Sequence, residues 1–229
     1  MLVIGDSVTL GAQGAIGAKL SYHGWYVTQV ERESLHTYEA NAIVDANRQW
    51  IGEVAIIQLG TNDGMDAALF TQWMDGLMGH LRDVRRVYWL NLRNFAPWVP
   101  AANVAIVEAA KRWPSMRVVD WSGTASPNPS LVYADGYHLN PAGQEAMARL
   151  LAVTLDAYVV ERLTPPTTTP PGTEAPVVQA AHASNVNRLS DGLPIMPLVL
   201  AGAITLLLCG ATIGLTLRSG ARRSNPQPG

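Results

Sequence analysis

The sequence predicts an α/β protein: a three-layer, flavodoxin-like fold in which helices cover both faces of a five-stranded parallel sheet. Three observations predict it. Short apolar runs alternate with longer amphipathic ones from residue 1 to about residue 160. The apolar runs are of strand length and the amphipathic ones of helix length. Each apolar run also ends in a cluster of small or polar residues, and in open α/β sheets ligands bind beyond the carboxyl ends of the strands.

The strand candidates are residues 2–4, 25–30, 54–59, 87–91 and 116–119. The helix candidates are residues 8–20, 34–50, 65–82 and 101–113, with 141–160 closing the series. Parallel strands joined through helices need right-handed crossovers, and five such strands put the first inside the sheet. Ser7 follows the first run, and Glu31-Arg32-Glu33-Ser34 follows the second. Gly60-Thr61-Asn62-Asp63 follows the third, and an irregular loop with Arg93, Trp98 and two prolines follows the fourth. After the fifth come a Ser- and Pro-rich loop and Asp135-Gly136-Tyr137-His138.

Composition narrows the function classes. The 229 residues are 48% hydrophobic and 15% charged, with a net charge of −2. That balance argues against disorder of the whole chain and against electrostatic nucleic-acid binding, so no nucleic-acid partner is expected. A single cysteine, Cys209, excludes an intrachain disulfide or a cysteine zinc site. His23, His36, His80 and His182 share no metal-ligand spacing, and no metal or other cofactor is expected.

The character changes near residue 163. Residues 1–162 form the expected catalytic domain, 163–192 a Pro/Thr-rich linker, 193–217 a transmembrane helix and 218–229 a short basic tail. The run 193–217 carries no charge and is long enough to cross a bilayer with some tilt. Arg218, Arg222 and Arg223 follow it, so the tail is expected in the cytoplasm and the catalytic domain outside it. Leu193-Pro194-Ile195-Met196-Pro197 lacks the Thr-Gly of a sortase signal, which leaves plain membrane anchoring. An exported domain needs a signal, yet the first strand begins next to Met1. Two expectations stay open: translation from an upstream start, or a tail anchor whose domain faces the cytoplasm.

Gly5-Asp6-Ser7 puts a hydroxyl where a strand hands over to a helix. There the free amides and the positive end of the helix dipole favour developing negative charge. A serine becomes a nucleophile only with a base in reach. With Gly60-Thr61-Asn62-Asp63 and Asp135-Gly136-Tyr137-His138 in order behind it, residues 1–160 resemble the SGNH (GDSL-type) hydrolases. The pattern around Val118-Val119-Asp120-Trp121 and residues 135–143 is similar to the catalytic domains of peptidoglycan O-acetyltransferases. The resemblance implies Ser7 as nucleophile, His138 as general base and Asp135 as the residue that orients His138. It also implies an oxyanion hole from the Ser7 amide, the Asn62 side chain and a backbone amide of the second block.

That second block departs from the family, which has glycine there. Residues 44–49 look like a second block, but too few residues follow them for a helix before the third strand. The better placement is after the second strand, with the Glu31 amide as the expected donor. Arg32 beside it either supports the loop or lines the site. Trp98 either packs its loop or stacks on a sugar ring. Asp63 is expected to stabilise its turn rather than to catalyse. Gly11, Gly14 and Gly17 lack the order of a dinucleotide loop and are expected to let the first helix lie close to the sheet. Most of the seven tryptophans fall in apolar runs and are expected in the core.

The expected activity is that of a serine esterase acting through an acyl-enzyme on short-chain or acetyl esters of small molecules or glycans. The rival enzyme is an O-acyltransferase of cell-wall or surface polysaccharide. The rival of another class is an inactive, surface-anchored binding module.

Overall fold

The computed structural model describes residues 1–63 and 65–164. The expected transmembrane helix at 193–217, its basic tail and nearly all of the linker lie outside these residues. Among the described residues no helix is long and apolar enough to cross a membrane.

Five strands, β1 (Leu2–Gly5), β2 (Thr28–Glu31), β3 (Val54–Gln58), β4 (Arg86–Leu90) and β5 (Met116–Val119), form one parallel sheet in the order β2-β1-β3-β4-β5. β1 therefore lies inside the sheet, as the sequence predicts, and both of its faces are buried. Alternation along the strands splits the core in two. Leu2, Ile4, Ala55, Ile57, Val87 and Trp89 face α2 (Ala40–Asn47), α3 (Ala67–His80) and α4 (Val99–Arg112). Val3, Val54, Ile56, Tyr88 and Leu90 face α1 (Ser7–Tyr22), the short α5 (Trp121–Ala125) and α6 (Pro141–Leu163).

The turn from β1 into α1 is sterically fixed. A Cβ on Gly5 would sit 1.6 Å from Thr9 Oγ1, so only glycine lets α1 start this close to the strand end. Asp6 caps the helix by accepting from the Val8 amide at 2.9 Å, which leaves Ser7 as the first helical residue.

Two expectations are corrected. Residues 34–50 are not one helix: the loop after β2 runs through Leu35 and His36 into a 3₁₀ turn, Thr37–Glu39, and α2 starts only at Ala40. The cause is Asp63, which captures the Thr37 amide and so competes with earlier helix formation. Of the glycines in α1, only Gly17 approaches the sheet, where an added Cβ would lie 3.3 Å from Gln29 Nε2; Gly11 and Gly14 meet open space. The tryptophans mostly pack in the core, as the sequence predicts: Trp89 and Trp121 are fully buried, Trp25 and Trp113 pack partly buried against the two clusters, and Trp50 is largely exposed.

Candidate active site

The carboxyl ends of the strands converge as the sequence predicts. Ser7 Oγ, at the N-terminus of α1, lies 2.9 Å from His138 Nε2, although 131 residues separate them. His138 Nδ1 lies 2.8 Å from Asp135 Oδ2. A carboxylate at Nδ1 fixes the proton there and leaves Nε2 as the acceptor for the serine proton.

The turn carrying these residues is held from several sides. Asp135 Oδ1 accepts from the Tyr137 and His138 amides, both at 3.1 Å. The His138 hydrogen bond, and after it the Tyr137 amide, hold the Asp135 carboxyl below the usual carboxylate range. Tyr133 N donates to His138 O at 2.9 Å, and Asn140 caps α6 immediately behind. Arg93 reaches across from the loop after β4: its Nε donates to Ala125 O at 3.1 Å and its Nη1 donates to Gly136 O. The Tyr137 ring lies 4.2 Å from the His138 ring and 5.0 Å from Phe95.

Ser7, Glu33, Ser34, Thr61, Asn62, Phe95, Tyr137 and His138 line an open cleft of about 410 Å³. Asn62 Nδ2 donates one hydrogen to Leu35 O at 3.1 Å, which orients the amide and leaves its second hydrogen free. A narrow pocket of about 10 Å³ adjoins the cleft and shares Thr61, Phe95 and Tyr137 with it; Val8, Leu92 and Trp121 help close it. A larger hollow of about 550 Å³ lies along α2 and α3, lined by the ion-paired Asp45, Arg48 and His80 and without a serine nucleophile.

The Glu31 expectation fails here, and for Arg32 and Trp98 the structural alternative to lining the site holds. Glu31 is the last residue of β2, not part of the loop. The Thr28 and Arg32 amides donate to Met1 and Gly5 of β1, so by the two-residue period the Glu31 amide faces the open sheet edge and cannot reach an oxyanion at Ser7. Its side chain instead accepts from Gln13 Nε2 at 2.9 Å. Arg32 pairs with Glu39 at 2.5 Å and does not line the cleft. Trp98 precedes α4 and packs edge-on against Phe95, 5.4 Å away, so Phe95 rather than Trp98 forms that wall.

The residue missed was Ser34. It lines the cleft in the left-handed region, at φ 53°, the one non-glycine residue there among those described. Its amide donates to nothing among the described residues. Asp63 is structural, as expected, but it braces a neighbouring loop rather than its own turn. Among the described residues no group of three or more His, Cys, Asp or Glu side chains is placed to hold a metal ion.

No family model matches the sequence. The chain is 23% identical over 111 residues to O-acetyltransferase OatA of Staphylococcus aureus, a match spanning 48% of this chain and 18% of that protein. The chain thus covers under a fifth of the length of the curated relatives it matches. Among solved structures it is similar to the C-terminal catalytic domain of Streptococcus pneumoniae OatA, with a TM-score of 0.56, 22% identity and coverage of 70% of this chain and 92% of that one. It is similar also to a Clostridium thermocellum family 3 carbohydrate esterase, with a TM-score of 0.56, 14% identity and coverage of 70% and 96%. These likenesses bear out the resemblance to the SGNH-type fold, with the OatA catalytic domain one of the structures that share it.

Proposed function

Taking the SGNH-type fold as premise, we propose that the chain is a serine ester hydrolase acting on acetyl or similarly short acyl esters. The observation that carries this is the Ser7–His138–Asp135 relay, with contacts of 2.9 and 2.8 Å at the N-terminus of a helix. In the first step Ser7 Oγ bonds to the ester carbonyl carbon while its proton passes to His138 Nε2. Asp135 holds the imidazole in register and stabilises the imidazolium. The oxyanion that forms faces the Ser7 and Ser34 amides and the free hydrogen of Asn62 Nδ2; one such donor contributes about 10²–10³ in kcat. Collapse expels the alcohol, which takes the proton from His138. Water then repeats the sequence on the acyl-enzyme and releases the acid.

The narrow pocket supports the short-acyl reading. At about 10 Å³ it has room for one methyl-sized group beside Val8 and Phe95. Labelling of the full chain by a serine-reactive phosphonate, lost in Ser7→Ala, tests the nucleophile. Rates on 4-nitrophenyl acetate, butyrate and octanoate test the acyl limit, and a flat series would overturn it.

A second reading, O-acetyl transfer to a glycan, is favoured by the sequence match to OatA. Hydrolysis and transfer share the acyl-enzyme and differ in the acceptor that reaches it, so acetyl transfer to a glycan acceptor above the hydrolytic rate would select transfer. The apolar run at 193–217 would hold the domain at a membrane, with the domain on the outer face. Protease accessibility on intact cells tests that placement.

A further inference from the structure

The chain that lines the cleft at Glu33 and Ser34 continues through buried Leu35 into His36, Thr37 and Tyr38. There three aromatic rings meet at the surface. His36 and Tyr38 stack at 5.6 Å with planes 23° apart, and Tyr38 meets Trp73 of α3 at 5.0 Å. Trp73 also meets the His36 ring edge-on at 6.4 Å. Tyr38 is 48% exposed, and Leu69, one turn before Trp73 on α3, is 37% exposed. Chain reach puts Tyr38 no more than about 14 Å from Ser34, within the span of a few sugar rings from the cleft wall.

The chemistry of the patch favours one kind of occupant. His36 is held through Nδ1 by Asp63, which fixes the ring and leaves Nε2 to other partners. Neither that nitrogen, nor the Tyr38 hydroxyl, nor Trp73 Nε1 has a hydrogen-bond partner among the described residues. A lipid or an apolar protein face laid here would strip water from three polar atoms and return nothing. A pyranose ring presents axial C–H groups to an aromatic face and hydroxyls around its rim, and so satisfies both demands.

We propose that Tyr38 and Trp73 form a sugar-stacking subsite, which makes the alcohol half of the substrate a carbohydrate with at least one ring beyond the esterified one. This rests on the ester-hydrolase reading of the Ser7 cleft and adds to it the identity of the leaving group. Asp63 has a defined part in it, because it holds His36, on which Tyr38 stacks, and the Thr37 amide between them.

The test compares kcat/KM of the full chain on O-acetylated oligosaccharides of four or more rings with kcat/KM on 4-nitrophenyl acetate. The ratio of the two is expected to fall about tenfold in both Tyr38→Ala and Trp73→Ala. Tyr38→Phe, which keeps the face, is expected to recover most of the ratio. A ratio unchanged in both alanine variants overturns the proposal. So does a patch whose alanine variants alter only self-association in sedimentation. If the wild-type chain hydrolyses neither ester, the Ser7 reading fails and calorimetry decides the subsite separately. Binding of the unacetylated oligosaccharide that is lost in Trp73→Ala then supports it, and no binding by the wild-type chain overturns it.

Discussion

Asp63 and Thr37 are joined twice: Asp63 Oδ2 accepts from the Thr37 amide at 2.7 Å and from the Thr37 hydroxyl at 2.6 Å. The other carboxylate oxygen meets His36 Nδ1 at 2.5 Å. One fully buried carboxylate thus ties the loop after β2 to the loop after β3, and these are the loops that bring Ser34 and Asn62 to the cleft.

Asp63→Ala is therefore expected to cost about 2–4 kcal/mol of stability, because it leaves a buried amide and a buried hydroxyl without an acceptor. Asp63→Asn keeps one acceptor oxygen and should lose less. Urea unfolding reads both. The same alanine variant should lower kcat on a small ester, since Asn62 is oriented by Leu35 O on the released loop. An unchanged urea midpoint would show that the two loops hold together without the carboxylate.

Asp135→Asn should reduce kcat by about 10⁴-fold, with little change in fold. An amide in place of the carboxylate can present N–H groups to His138 Nδ1, which favours the tautomer that cannot accept from Ser7. Because its carboxyl is held below the ordinary range, Asp135 supports His138 above that range and loses this role only as pH falls through the lowered value. Asp135 thus sets no activity limb between pH 5 and 7 in a profile of kcat on 4-nitrophenyl acetate. A kcat within tenfold of the parent in Asp135→Asn would remove it from the relay.

The parts of this site that were legible in the sequence are those carried by residue type. Ser7, Asp135 and His138 announce themselves by chemistry, and each strand end by the switch from apolar to polar residues. What hid the rest was geometry. Glu31 was placed one step beyond its strand, and that single step reverses where its amide points. Ser34 adopts a conformation that usually advertises itself as glycine, so nothing in its side chain marked it. Trp98 sits in the expected loop, but the direction of its ring depends on Phe95, which packing decides and spacing does not. The break in the predicted helix at 34–50 comes from Asp63, a partner 26 residues away from Thr37, and no local propensity reports it.

Ser34 offers a test of backbone conformation. Left-handed geometry costs a non-glycine residue about 1–2 kcal/mol, while glycine costs the unfolded state's entropy about 0.5–1 kcal/mol. Ser34→Gly should thus be neutral to slightly stabilising and should keep activity, because the proposed oxyanion contact needs only the amide. Ser34→Val forces a β-branched side chain into the same region and should destabilise and slow the enzyme together. Thermal melting and esterase rates measure the pair. Equal melting temperatures for the two variants would mean the loop relaxes freely.

Two buried carboxyls set a pH dependence of stability. Burial pushes Asp6 up to about 6 and Glu31 up to about 7, in each case against hydrogen bonds that favour the charged form. A raised native value means the folded state binds more protons than the unfolded one between about pH 4 and 7, so stability falls as pH rises through that window. Melting temperature should be higher near about pH 5 than near about pH 8. Glu31→Gln keeps an oxygen for Gln13 and removes the buried charge. It should raise the melting temperature near about pH 8, leave it nearly unchanged near about pH 5, and flatten the curve between them. A parallel shift at both pH values would assign the effect to packing.

Arg93 couples the loop after β4 to the turn that carries the relay. Its guanidinium donates to Ala125 O and to Gly136 O, two carbonyls from separate segments, and it has no carboxylate partner among the described residues. The planar fork can span both carbonyls at once; an ammonium is a single point and cannot. Arg93→Met fills similar volume but frees the turn, and a displacement of about 1 Å between Ser7 and His138 is enough to cost about 10²-fold in kcat. Arg93→Lys should recover only part of that loss, and added guanidinium ion should recover more in Arg93→Ala than in Arg93→Lys, where the ammonium occupies the space. The loss should fall on kcat rather than on KM, because Arg93 acts through the His138 turn. A change confined to KM would instead place the guanidinium against the substrate.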